Sequence, residues 1–151
     1  MSAHRTTDKG VTEGKARIAL LAMAILVSWA WGSLAGDAVP DLTGTWQGTL
    51  QSVGSGKRTH AEPTDKATFA SVELTIRIDR QQGRVFYGIK QSKRASEEVV
   101  GVVRRDNTVY LADHDGYQVG TLVAPDELEL VYLEAGLESR VAGYIVYKRV
   151  K

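Results

Sequence analysis

Val72-Glu73-Leu74-Thr75-Ile76-Arg77-Ile78-Asp79 decides how the rest of the chain is read. Apolar and polar side chains alternate through it without interruption. On a helix these apolar residues would scatter around the axis, whereas on a strand Val72, Leu74, Ile76 and Ile78 share one face. This stretch therefore predicts a half-buried strand, from about Phe69 to Arg80.

The same period continues to either side. Upstream, Thr43 to Val53 reads as a first strand. Downstream, Gln82-Gly83 turns into a third strand, Arg84 to Gln91, with Val85, Tyr87 and Ile89 aligned. Glu97 to Arg105 follows, then a tight Asp106-Asn107 turn into Thr108 to Asp113, then Asp115-Gly116 into Tyr117 to Ala124. Pro125-Asp126 opens a seventh strand, in which Leu128, Leu130 and Tyr132 alternate with Glu127 and Glu129, and Glu138 to Arg149 is the eighth. The expected fold is all-β: an eight-stranded antiparallel up-and-down barrel, whose closure leaves no edge strand unpaired. An open sandwich is the alternative. The one long connection, Gly54 to Thr68, reads either as a lid or as a surface insertion.

Ahead of the barrel, a polar segment carrying Arg5, Lys9, Lys15 and Arg17 runs into the apolar stretch Ile18 to Trp31. Ser33 and Ala35 are the small residues that signal peptidase accepts before the Ala35/Gly36 bond. Residues 1–35 are thus expected to be a helical signal peptide and 36–151 one domain, secreted or periplasmic. The alternative is an uncleaved anchor, the one membrane contact expected. Asp37 stands where a lipoprotein signal needs cysteine, which excludes lipidation there.

Removing the leader's four basic and two acidic residues leaves 15 Lys and Arg against 16 Asp and Glu. With neither a basic stripe nor an acidic block, no nucleic-acid partner is expected. The chain has no cysteine, so disulfides, thiolate metal sites and thiol nucleophiles are excluded.

Leu42-Thr43-Gly44-Thr45-Trp46 at the head of the first strand, the eight-strand meander and Arg149 near the end of the last together resemble the calycins, the group of lipocalins, fatty-acid-binding proteins and avidins. The resemblance implies that the Trp46 indole plugs the barrel base, that Gly44 lets the backbones approach, and that the Arg149 guanidinium lies across the ring. Avidin's wording is similar, and continuing its pattern puts Leu50 and Ser52 at ligand-pocket positions. It then diverges: Gly48 replaces a ligand-contacting asparagine, and no tryptophan follows Trp46, which argues against biotin.

Asp113-His114-Asp115-Gly116 mixes histidine with carboxylates, but alternation sends Asp113 and His114 to opposite faces, so a turn is expected rather than a metal site. Glu97 and Glu98 point apart and read as a solvated strand start. His60 has no partner motif. No catalytic, cofactor or metal site is expected, and the protein is read as non-enzymatic.

Tyr87, Tyr117, Tyr132 and Tyr147 are placed on or near the inner face, where tyrosine offers an apolar wall with one polar handle. They either line a cavity or fill it. The expected ligand-binding residues are Leu50, Ser52, Tyr87, Tyr117 and Tyr132. The expected function is binding of a small apolar or amphipathic molecule in the barrel. The alternative is a packed barrel meeting another envelope protein through an outer patch on strands four and eight, which are apolar on both parities.

Overall fold

The computed structural model describes residues 38–58 and 61–151; the leader expected over residues 1–35 lies outside them. Eight strands run in chain order: β1 Gly44–Gly56, β2 Thr64–Gln82, β3 Val85–Gln91, β4 Ser96–Val103, β5 Thr108–Ala112, β6 Tyr117–Ala124, β7 Glu127–Ala135 and β8 Ser139–Arg149. Each pairs antiparallel with the next, and β1 pairs with both β2 and β8, so the sheet is a closed meander barrel rather than a sandwich.

Turn chemistry sets the hairpins. Gly83 (φ 57°) and Asn107 (φ 62°) take the left-handed backbone that a tight turn requires, and the Asp106 carboxylate accepts the Thr108 N–H at 3.1 Å. Asp113 Oδ1 accepts the N–H groups of Asp115 (3.1 Å) and Gly116 (2.8 Å), which turns β5 into β6. The long connection expected at Gly54 to Thr68 is shorter than the sequence implied, because β1 continues to Gly56 and β2 begins at Thr64.

The half of the barrel around Trp46 is filled. Trp46, Ile76, Val103, Val109, Leu128 and Tyr147 are all at most 1% exposed, with Ile78, Phe86 and Leu122 packed beside them. Trp46 Nε1–H donates to the Leu42 carbonyl at 2.9 Å, and the Arg149 guanidinium lies 4.2 Å over the indole. Arg149 also donates to the carbonyls of Thr43, Asp41 (2.6 Å) and Pro125 (3.3 Å). Gly44 sits beneath at φ 112°, a conformation that side chains other than glycine's rarely adopt. Gly44, Trp46 and Arg149, the three residues named from the resemblance, thus lie together at one end of the barrel.

Candidate functional site

The other half of the barrel is not filled. On the inner faces of β1 and β2, Leu50, Ser52, Val72 and Leu74 line a cavity of about 180 Å³, with Tyr132 and Glu134 of β7 and Val141 of β8 opposite. Arg58 and Ala61, from the β1–β2 connection, border it.

Its polar wall is built by hairpin register. The β3–β4 hairpin closes with Ser92 N–H donating to the Ala95 carbonyl at 2.8 Å, which sets Lys90 directly across from Glu97. Lys90 Nζ is 2.9 Å from Glu97 and also donates to Asp113, at the end of β5. These side chains are only 12%, 11% and 2% exposed, in that order. Burial works to lower the Lys90 pKa, yet hydrogen bonds to Asp113 and Glu97 outweigh it and hold the ammonium above its ordinary value.

Lys90 lies 5.4 Å from the centroid of the Tyr132 ring. The Tyr132 hydroxyl donates to Glu134 at 3.4 Å. Burial first, then the charges of Asp113, Glu134 and Asp115, push this phenol far above its ordinary pKa, so it stays a neutral donor. Deeper in, Tyr147 donates to Gln118 at 3.4 Å and is likewise raised, by burial and by Asp113.

Three of the five expected ligand residues, Leu50, Ser52 and Tyr132, come together at this cavity. The other two do not. Tyr87 points outward, its hydroxyl donating to Glu98 at 3.1 Å, and Tyr117 is 62% exposed on the outer face. The cause is parity. β3 turns Phe86, Gly88 and Lys90 inward rather than Val85, Tyr87 and Ile89, because the Phe86 ring occupies the space left by Gly101, and a side chain on Gly88 would collide with the Arg77 carbonyl. β6 turns Gln118 and Leu122 inward, and Gly120, which shares their face, backs onto the Glu129 carbonyl. Tyr147 does face inward, but it is core rather than cavity wall.

Glu97 is no solvated strand start: it faces the cavity while Glu98 faces out. Lys90, Glu97 and Gln118, with Asp113 behind Lys90, are among the polar residues that sequence reasoning missed. One signal was available. Counting outward from the Ser92–Ala95 turn pairs Lys90 with Glu97, an opposite-charge cross-strand pair on one face.

The outer surface has its own feature. Val100 and Val102 of β4 pair with Ala112 and Tyr110, which pair in turn with Tyr117 and Val119. Those two pair with Leu133 and Val131, and Val131 pairs with Tyr144. The resulting apolar band crosses β4 to β8, wider than the two-strand patch expected, and Val100, Tyr110, Tyr117, Val131, Leu133 and Tyr144 are all exposed in it.

Among the described residues no three His, Asp or Glu side chains converge in a way that would hold a metal ion. Fold and site define an eight-stranded antiparallel barrel with one filled half and one cavity-bearing half. Compared with family models, with curated proteins and with solved structures, the chain matches none.

Proposed function

We propose that this is an exported, non-enzymatic, calycin-like carrier that binds a small apolar or amphipathic molecule at the end of the barrel away from Trp46. The observation that carries this reading is the cavity of about 180 Å³, with an apolar wall of Leu50, Val72, Leu74 and Val141 facing Lys90, Glu97 and Tyr132. A few polar groups on an otherwise apolar concave wall are the ordinary make-up of a small-molecule site. An apolar cavity of roughly 150 Å³ is enough to take up benzene, so the size suits a single-ring ligand. The Trp46–Arg149 base supports the calycin part of the reading, and the leader motif supports export.

Native mass spectrometry of the protein purified gently from its own host tests this directly. The expected result is a reproducible small-molecule adduct on the wild type that disappears in Val72→Trp, which fills the cavity. Retention of the adduct in that variant would place binding elsewhere.

A second reading is favoured by the apolar band across β4 to β8: a barrel that works through its outer face on another envelope protein. The same spectra separate the two. A ligand-free barrel found in a complex with another protein, dissociated by Tyr117→Lys and Val131→Lys together, would favour the band over the cavity.

A further inference from the structure

The apolar band on the outer face is one-sided. On the β1 and β2 side the barrel presents Gln47, Thr49, Glu73 and Arg77, all exposed. On the other side the outward positions of β4 beyond Glu98, and all those of β5 and β6, carry no charge. Six large side chains of the band, from Val100 on β4 to Tyr144 on β8, are between 40% and 62% exposed. At about 150–250 Å² for a whole large side chain, they leave roughly 450–700 Å² of apolar surface open. The largest patch on a typical monomer is about 300–600 Å², so this band is at or above the upper end. A specific dimer buries about 800 Å² on each partner, which is a core of this size plus a polar rim. Arg80 and Gln82, beside Val85, supply part of that rim.

The relief of the band fits a copy of itself. Tyr117 and Leu133, paired across β6 and β7, stand between two hollows. One, of about 750 Å³, is lined by Val85, Val100, Val102 and Tyr110; the other, of about 840 Å³, by Val53, Phe69, Val131 and Tyr144. We propose that this face is the contact of a two-fold homodimer. The Tyr117–Leu133 ridge of one copy seats in the hollow around Val85 and Val100 of the other, and the reverse. A two-fold contact requires one patch to carry both a protrusion and the hollow that receives it, and this band carries both. Two sheets packed face to face bury such a surface directly. An apolar face on one side of a barrel closes on one partner, whereas a barrel set in lipid is apolar all round. Without charge, the band gives an ionic partner nothing to pair with. The contact does not rest on the carrier reading, since these side chains point away from the cavity.

Sedimentation equilibrium of the protein purified from its own host, over a wide range of concentration, tests this. The expected result is twice the mass of one chain, with dissociation at micromolar concentration or below. Tyr117→Lys and, separately, Leu133→Lys should weaken association at least about thirtyfold, the loss expected at the centre of an interface. Thr49→Lys, on the polar side, should leave it unchanged. Far-UV circular dichroism like that of the wild type shows that each variant is folded. Tyr117→Lys and Val100→Glu, each weakened alone, should associate again when mixed, because the new lysine of one copy meets the new glutamate of the other. A monomer at every concentration, a dimer that survives both ridge variants, or no recovery on mixing would overturn the contact. So would association through these residues only with a different protein or with phosphatidylcholine vesicles. None of these outcomes touches the carrier reading, which stands or falls on the Val72→Trp adduct test.

Discussion

Trp46 and Lys90 mark the two ends of what one residue can do in this barrel. The indole fills the base, donates its only N–H to Leu42 and carries Arg149 on its face. Trp46→Ala should therefore lower stability by about 3–5 kcal/mol, measured by urea denaturation. Lys90 is held by two carboxylates, so Lys90→Met removes a buried charge together with its ion pairs to Asp113 and Glu97. Breaking a buried pair from one side costs about 3–5 kcal/mol near neutral pH. The midpoint of urea denaturation of the variant against the wild type checks this. Trp46 was legible in the sequence because Leu42 to Trp46 is a local motif. Lys90 was not, because lysine is seldom buried and its partners come from two other strands.

At the scale of elements the decisive property is strand parity. A one-residue slip exchanges the two faces of a strand, and β3 and β6 each offer apolar residues on both. Glycine settles it, since Gly88 and Gly120 sit where another strand's carbonyl leaves no room for a Cβ. Gly120→Ala should force β6 and β7 apart and destabilise the barrel by about 1–3 kcal/mol, read from the shift in chemical denaturation midpoint. Tyr87→Ser and Tyr117→Ser, both outward, should leave ligand uptake within twofold of wild type, whereas Tyr132→Ala should weaken it at least fivefold, a loss of about 1 kcal/mol. Strand β2 was readable because its two faces differ throughout Val72 to Asp79; β3, with Phe86 and Tyr87 adjacent, was not.

The molecule as a whole responds to pH through groups that hold their protons in the folded state. Lys90, Tyr132 and Tyr147 are all raised above their ordinary values. Their contribution is complete below the unfolded pKa values of about 10 and is lost as pH climbs through the folded ones. Melting temperature should thus fall above about pH 10, while the absorbance of ionised tyrosine lags behind that of a denatured control. At the acid end Asp41 is lowered by hydrogen bonds from the side chain and backbone of Thr43, and its small contribution is lost as pH falls below the usual carboxylate range. The filled half and the cavity half are likewise properties of the closed barrel. No single strand shows that Leu50, Lys90, Tyr132 and Val141 surround one space.

By itself the sequence determined that this chain makes eight antiparallel strands in meander order, because alternation and turn residues act over a few neighbouring positions; that Trp46 and Arg149 would meet was implied only by the resemblance. Only the tertiary structure decided which face of β3 and β6 looks inward, that Lys90, Glu97 and Asp113 meet, and that a cavity remains beside them. Those outcomes depend on whether a side chain fits against a backbone or a counter-charge supplied by another strand, and that is fixed when the barrel closes.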